Sequence, residues 1–474
     1  MLIKIKGNYI KLFENYFLIF VMLSFYIGLL FNISWKISWF LLFLFSIYII
    51  TKSILDTFKG QVVYDKLLFI LGLFVFVIYE PTTLILENIG FPNINNTYIK
   101  DNYLANFVGF VTVVYIMSFY FGHYIVKGVY RIKKDFLELS IKTDDLKIYL
   151  LVMYFFLSVL PFLVFGSSSI VENFFYNLNA RSNGYVAFAS SGLGSKNPVI
   201  SLLAQAIPAT IILIAIYMDK ISNYKKILAL IFMLFIFFLY ISLGGRSGVI
   251  FVFMTIIIFW YHRRKNQSVP IIKIVLILIL VFSSITYQIN SRDTGSFKSV
   301  DRSGLTGFEL NREITFIVDQ YGEKRNFISA NTLIEKLTLP LLDTVYLFVT
   351  NPIPRMLWKS KPIDESFAPF NKLRTGKTGF SHGSNITPTI IGRYYMKYGL
   401  LGVIEIGIFI GILWTIANIY IKLNLNRSKL ELVMPIAFVA TLFSTTRDFA
   451  PGKFYPFLFI YLFYILNKIE YKKW

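Results

Sequence analysis

The chain contains no cysteine among its 474 residues. This absence excludes disulfide bonds, a thiolate nucleophile and any metal site that uses thiolate ligands. Histidine is also scarce, because only His123, His262 and His382 are present, and three residues leave little material for a histidine metal cluster. We therefore expect no bound metal and no cofactor.

Charged residues are few as well, at 15% of the chain, whereas hydrophobic residues make up 56% and aromatic residues 18%. With a mean hydropathy of +0.63, these values lie outside the range of soluble proteins and indicate a polytopic membrane protein. The net charge of +21 is also a feature of nucleic-acid-binding proteins. Here the lysines form short clusters between apolar runs, which favours membrane orientation and a lipid bilayer as the partner, with no nucleic acid.

The common nucleotide motifs are absent too. The sequence has no P-loop, no dinucleotide fingerprint, no metalloprotease helix and no nucleotide-sugar metal motif. It also lacks the paired carboxylates that are typical of a glycosidase. If the protein transfers a group from a phosphorylated donor, we expect arginine side chains rather than a nucleotide-bound Mg²⁺ to neutralise the leaving group.

Long apolar runs dominate what is present. A membrane-spanning helix needs about 20 apolar residues, and somewhat fewer where lysine or arginine flanks the run. The first run follows a basic start but has no small-residue cleavage site, so we interpret it as a helix rather than a signal peptide. The fold class that we predict is all-α, with twelve spans at 14–33, 37–51, 66–86, 103–126, 147–165, 198–218, 227–244, 247–262, 273–290, 399–421, 431–447 and 454–468.

The distribution of basic residues predicts the orientation of these helices. With the N-terminus inside, the inner segments hold 25 of the 47 Lys and Arg, the short outer segments hold 7, and one long outer stretch holds 15. Long segments are translocated regardless of charge, so this stretch does not contradict the positive-inside rule. We therefore expect both termini on the cytoplasmic side of the membrane.

The long outer stretch divides the chain into three parts: helices 1–9 in 1–289, a large extracytoplasmic loop in 290–398, and helices 10–12 in 399–474. A loop of this length between spans is usually functional. Its last section, 386–398, is too short to cross a membrane and too apolar to lie in water. We predict an interfacial or re-entrant helix there, ending at Gly399.

Several arginines fall on the outer side, where a cation needs an explanation. Arg181 lies in a loop rich in Gly, Ser and Asn, which suits a bidentate grip on a phosphate, although a solvated loop arginine fits equally. Arg246 lies in a Gly-Gly-Arg-Ser turn that can form an anion-binding nest or can anchor two helix ends. Arg447 either binds the same anion or forms an ion pair with Asp448. Arg393 follows Gly392 near the outer membrane face, and we count it with these arginines as a ligand for a diphosphate.

The segment 351–362, NPIPRMLWKSKP, is a second outer feature. Its prolines favour an extended backbone, along which Arg355, Trp358 and two lysines form a cationic and aromatic strip. Such a strip suits contact with a sugar and a pyrophosphate. Anchoring of Trp and Lys at the membrane interface explains the same residues.

One histidine and two acidic residues are further functional candidates on the outer side. His382 lies in a polar outer loop and could act as a general base toward a sugar hydroxyl, although a hydrogen-bonding loop histidine is the ordinary alternative. Glu405 lies inside the outer half of the tenth predicted helix, and Glu80 lies near the outer end of the third. An ionisable group at that depth is a functional candidate, most simply as the partner of an outer arginine.

The sequence resembles the Wzy-type polymerases of oligosaccharide repeat units (O-antigen polymerases). The resemblance lies in the helix plan, the large outer loop, the Gly-Gly-Arg-Ser turn, the 351–362 segment and the run from His382 to Gly402. Members have an Arg-x10-Gly pattern in the third outer loop, and Arg181 with Gly192 has that spacing. The counterpart in the large loop is not found, because none of its arginines has a glycine eleven residues on.

The resemblance implies a glycosyltransferase-C-like fold and a specific reaction. The growing glycan would pass from undecaprenyl diphosphate to the non-reducing end of a new lipid-linked unit on the outer face of the membrane. A chain-length regulator and a flippase are the protein partners that it implies. Two alternatives stay open at this point, namely an O-antigen ligase of similar topology and a lipid-linked oligosaccharide flippase. A flippase would favour charges along both halves of the bundle.

Overall fold

The computed structural model is a bundle of α-helices, and the part of the chain that it describes contains no β-strand. The structure describes residues 2–59, 63–78, 102–132, 147–164, 205–218, 223–242, 246–263, 389–446 and 451–468, together with a few positions between them. Side-chain descriptions begin at Glu14.

The described helices follow one another with short turns in several places. In chain order they are α1 (Leu2–Phe31), α2 (Lys36–Phe58), α3 (Tyr64–Leu73, continued by a π-helical turn Phe74–Ile78), α4 (Asn102–Ile132), α5 (Ile148–Val164), α6 (Ala206–Tyr217), α7 (Asn223–Ser242), α8 (Arg246–Arg263), α9 (Ile390–Asn424), α10 (Lys429–Thr445), a 3-10 turn (Pro451–Phe454) and α11 (Tyr455–Lys468).

These helices coincide with eleven of the twelve predicted spans, and the remaining one, 273–290, lies outside the described residues. Four helical segments are long and apolar enough to cross a membrane: Glu14–Phe31, Lys36–Phe58, Asn102–Tyr130 and Tyr398–Asn424. The described part of the chain is thus all-helical, with helices that suit a membrane protein. The number of twelve spans, the glycosyltransferase-C-like arrangement and the three-part division stay predictions, because most of 290–398 lies outside the described residues.

Contacts between helix ends show that the consecutive helices α1 to α4 run in alternating directions. At one end, Lys52 of α2 and Lys66 of α3 both contact Glu14 of α1. At the same end, Tyr64 of α3 contacts His262 of α8 through its hydroxyl, 2.9 Å from Nε2. We call this the lysine end, and it also carries Lys429 and Lys468.

The opposite end carries the start of α9, and we call it the Thr389 end. There the turn between α1 and α2 contacts α4, because Asn106 Nδ2 donates to the Ile33 carbonyl at 2.8 Å. Trp39 Nε1 donates to the Ala105 carbonyl beside it, at 3.0 Å. Tyr395 of α9 then packs on Phe107 of α4 with ring centroids 5.5 Å apart. Thus α4 and α9 both run from the Thr389 end to the lysine end.

The closest helix pair is α4 with α9, and glycine makes it possible. A Cβ placed on Gly411 would overlap the Phe119 carbonyl oxygen, and one on Gly122 would overlap the Ile408 carbonyl oxygen. A Cβ on Gly407 would lie 2.6 Å from the Ser118 Cβ. Small residues four apart let two membrane helices touch through their backbones, where dispersion replaces the hydrophobic effect as the source of stability. We call this contact the glycine seam.

The surface of α7 shows what faces the lipid. Tyr224, Ile227, Ile231 and Phe238 are all more than half exposed on this helix. Aliphatic and aromatic side chains exposed in such number suit a hydrocarbon environment. We therefore place α7 at the lipid-facing edge of the described bundle.

The glycine seam predicts opposite outcomes for two glycine-to-alanine substitutions. Gly411→Ala should destabilise the protein by about 1–3 kcal/mol, because the neighbouring atom is backbone and cannot rotate away. Gly128→Ala in α4 is the matched control, since nothing lies within 4 Å of its Cβ and alanine favours the helix by up to about 1 kcal/mol. Thermal unfolding of the purified protein in detergent measures both. Equal unfolding temperatures for the two variants would contradict a close backbone contact at Gly411.

Candidate active site

The N-terminus of α9 presents main-chain donors that no other described residue uses. Thr389 is the N-cap, and its Oγ1 accepts a hydrogen bond from the main-chain N–H of Gly392 at 3.1 Å. Arg393 makes the first main-chain bond of the helix, to the Thr389 carbonyl at 2.9 Å. Among the described residues, no acceptor contacts the N–H groups of Ile390 and Ile391. These donors carry the positive end of the helix dipole, which attracts anions.

Arg393 adds a full charge to this helix end. The residue is only 6% exposed and lies in the first turn of α9. A guanidinium group can bind two phosphate oxygens at once, so it complements the free N–H groups around an anion. The helix end and the arginine together form an environment in which a diphosphate would be stabilised.

Aromatic side chains surround the same helix end. Tyr394 is buried, and its ring lies 6.2 Å from that of Tyr398 on the next turn of α9. Tyr395 meets Phe107 of α4 edge to face, with ring centroids 5.5 Å apart. Aromatic faces of this kind offer flat apolar surface with polar hydroxyl edges, which suits a sugar ring.

The helix that begins at Ile390 changes direction at Gly399. This residue has φ 66° and ψ −156°, a backbone conformation that essentially only glycine adopts. The break that the sequence predicts at Gly399 is therefore present, and it separates a short segment, residues 390–398, from the span that follows. Glu405 lies one and a half turns beyond the break and is half-buried, with Oε2 fully buried.

The structure places only some of the predicted site residues. Arg393 and Glu405 lie on α9, and Arg246 is the first residue of α8, with its side chain outside the described part. Trp358 is half-buried and packs edge to face on Tyr346, with centroids 6.5 Å apart. The other predicted residues lie outside the described residues: Arg181, Arg355, His382 and Arg447.

Both placed arginines share one property. Arg246 begins α8, and Arg393 lies in the first turn of α9. A cation near a helix N-terminus opposes the helix dipole, by about 0.3–1 kcal/mol at exposed sites. The dipole therefore disfavours a cation at these two positions, and a bound anion would offset that effect.

Comparison with known families connects this geometry to an activity. The family described as O-antigen polysaccharide polymerase Wzy matches residues 13–471, which is nearly the whole chain. The chain belongs to this family. Comparison with curated proteins and with solved structures gives no match.

Membership in the Wzy family confirms the predicted reaction class. Wzy polymerases act on lipid-linked oligosaccharides in the membrane, and the chain is a polymerase of such repeat units rather than a ligase or flippase. The α9 segment from Thr389 to Glu405 lies within the matched residues, as do all the predicted site residues. In the described part of this Wzy protein, no group of three His, Asp or Glu side chains is arranged to hold a metal ion.

The sequence analysis missed a polar network at the lysine end. Glu14 is 2% exposed and contacts both Lys52 and Lys66, the latter at 2.8 Å. Asp65 and His123 are equally buried, with Asp65 Oδ2 3.0 Å from His123 Nδ1. Ionisable residues inside apolar runs are visible in the sequence, and they are functional candidates by the same rule that selected Glu405.

Gly399 gives a test of the break in α9 that is separate from any charged residue. No atom lies within 4 Å of a Cβ at this position, so Gly399→Ala adds no clash and acts only through the backbone. We expect the strained conformation to cost about 1–3 kcal/mol and polymerisation to fall by about tenfold or more. Polymer length on gels, made by purified protein from lipid-linked repeat units, measures this effect. Normal polymerisation by Gly399→Ala would show that the break is dispensable.

Proposed function

We propose that this polymerase binds the diphosphate of its lipid-linked donor at the N-terminus of α9. The observation that carries the proposal is the buried Arg393 in the first turn of that helix, beside the N–H groups of Ile390 and Ile391. A diphosphate offers enough oxygen acceptors for all three. Because the site is largely closed to water, each of these interactions is stronger than it would be in solution.

The lipid carrier in this proposal is undecaprenyl diphosphate, and the reaction breaks the bond between its terminal phosphate oxygen and the anomeric carbon of the growing glycan. A hydroxyl group at the non-reducing end of the new unit attacks the same carbon and forms the glycosidic bond. Negative charge develops on the departing diphosphate. Arg393 and the helix end are already positioned to stabilise that charge, so no metal ion is required.

The attacking hydroxyl also loses a proton, which a base must accept. Glu405 is our first candidate, because it is half-buried just beyond the break on the same helix as Arg393. His382 is the second candidate and retains the role that the sequence gives it. The second lipid-linked substrate would then be bound by the other predicted arginines, Arg181, Arg246, Arg355 and Arg447. Trp358 would contact its sugar.

The proposed orientation puts the Thr389 end outside the cell and the lysine end in the cytoplasm. Exposed Lys225, Lys422 and Lys468 lie at or beyond helix ends on the lysine side, as the positive-inside rule requires. The reaction would then take place on the outer face of a bacterial inner membrane. A flippase that delivers repeat units and a regulator of chain length are the protein partners of this arrangement.

Substitution of Arg393 tests the site directly. Arg393→Gln should reduce the polymerisation rate by about tenfold to a hundredfold, because a charge-assisted hydrogen bond contributes about 1.5–3 kcal/mol. Arg393→Lys should recover part of the loss, since it retains the charge but not the bidentate geometry. The rate is measured with purified protein and lipid-linked repeat units at equal amounts of folded protein.

The matched control for this substitution is Arg263→Gln. Arg263 is exposed at the end of α8 and contacts the Arg427 carbonyl at the lysine end, far from α9's N-terminus. We expect this variant to polymerise at the rate of the unmodified protein. If Arg393→Gln did the same, the diphosphate would have to bind elsewhere.

A further inference from the structure

The first turn of α3 contacts three other helices through three consecutive side chains. The Tyr64 hydroxyl lies 2.9 Å from His262 Nε2 of α8, and Lys66 Nζ lies 2.8 Å from Glu14 Oε2 of α1. Between them, Asp65 Oδ2 lies 3.0 Å from His123 Nδ1 of α4. The start of α3 is therefore a junction of the bundle at the lysine end.

His123 extends this junction to a fifth helix, α9. Its Nδ1 lies 2.8 Å from Thr415 Oγ1, and the Thr415 hydroxyl donates its own hydrogen to the Gly411 carbonyl at 2.7 Å. The Thr415 oxygen can therefore only accept from the imidazole, so Nδ1 carries a hydrogen. His123 is fully buried, and no described residue contacts its Nε2 by a hydrogen bond. All polar contacts of the ring with the described residues thus pass through Nδ1–H.

The position of this contact along the helices matters. Gly122 and Gly411 are both part of the glycine seam, so the contact between His123 and Thr415 begins where the seam ends. Backbone contact through glycine holds two helices together but has little directional preference, so it resists separation more than sliding. A hydrogen bond is directional, and in a low-dielectric interior it strongly favours one register.

The same two helices carry the candidate active site at their other end. From Gly399 to Thr415, α9 extends about 24 Å. A slip of one residue along the seam would move α9 by about 1.5 Å relative to α4. At the Thr389 end this movement would displace Tyr395 from Phe107. Misplacement of catalytic groups by about 1 Å can reduce a rate about a hundredfold.

We propose that His123 is a positioning residue for glycan transfer: its Nδ1–H, held between Thr415 and Asp65, fixes the register of α4 against α9 and α3. His123 never touches the substrate and transfers no proton. It acts through the glycine seam on the site at the N-terminus of α9. The inference rests on the proposed location of that site.

Two substitutions of His123 separate this role from the alternatives. The amide nitrogen of asparagine can occupy the position of Nδ1, whereas that of glutamine reaches the position of Nε2. His123→Asn should therefore retain the contact with Thr415. Its polymerisation rate should be within about threefold of that of the unmodified protein, which corresponds to an activation barrier higher by less than about 1 kcal/mol. His123→Gln should lose the contact and reduce kcat by about tenfold to a hundredfold with little change in KM.

Register itself can be measured without any enzymatic assay. The natural chain has no cysteine, so Phe107→Cys combined with Tyr395→Cys provides a clean pair across α4 and α9. In the full-length protein, His123→Gln should slow oxidative cross-linking of this pair about tenfold or more, whereas His123→Asn should leave the rate unchanged. Thermal unfolding confirms that each variant is folded.

Thr415 supplies a milder variant with a close control. Thr415→Val removes the acceptor for His123 and should slow both cross-linking and polymerisation. Thr112→Val in α4 removes another buried hydroxyl that donates to the carbonyl four residues earlier, at 2.8 Å from Val108 O, and should slow neither. Equal behaviour of these two variants would overturn the proposal.

The remaining outcomes are also decisive. Loss of polymerisation in His123→Asn would mean that Nδ1–H alone is insufficient, and full activity in His123→Gln would mean that it is unnecessary. Slower cross-linking without slower polymerisation would separate register from catalysis. Each of these results overturns the proposal. An active Arg393→Gln variant would instead remove the diphosphate site, and the cross-linking result would stand independently of it.

Discussion

The close approach of α4 and α9 is the contact on which the other features depend. In hydrocarbon the hydrophobic effect contributes little to the association of helices. The stability of a helix pair must therefore come from dispersion at short range. Glycine at positions 122, 407 and 411 permits that range because no Cβ separates the two backbones. The break at Gly399 comes two turns before the seam. The segment that carries Arg393 is therefore attached to a helix whose position the seam determines. A mobile α9 could not hold an anion-binding helix end in place.

Polar groups at the two ends of this pair are stabilised in different ways. At the lysine end, two buried acidic side chains contact basic residues: Glu14 contacts Lys52 and Lys66, and Asp65 contacts His123. Breaking such a buried pair typically costs about 3–5 kcal/mol, although replacing both members can be neutral. The network is therefore better evidence for a specific arrangement of α1, α2, α3 and α4 than for high stability. The Thr389 end instead gathers donors and a cation, which suits an external anion.

Hydropathy was sufficient to predict most described helices. An apolar run in a membrane must satisfy its backbone hydrogen bonds within the segment, and a helix does this. The break at Gly399 was also predictable, since an apolar segment too short to cross preceded a glycine. Pairing was not. His123 and Thr415 are 292 residues apart, and nothing in either local pattern indicates the other. The spacing of Gly407 and Gly411 signals a close helix contact, but it does not name α4 as the partner. Arg393 was selected from its neighbourhood, whereas its place in the first turn of a helix required the structure.

The helix dipole acts in opposite senses on cations in the last and in the first turns of the described helices. His262, Arg263, Lys422 and Lys468 lie in the last turns of α8, α9 and α11, where the dipole stabilises positive charge. These residues are favourable whether or not a ligand is present, and they suit a role in orientation. Arg393 and Arg246 lie in first turns, where the dipole opposes them. In the site that we propose, a bound diphosphate would offset this unfavourable interaction in addition to forming new contacts. The proposed site would then favour the most highly charged state of its ligand, which in glycan transfer is the departing diphosphate rather than the intact donor.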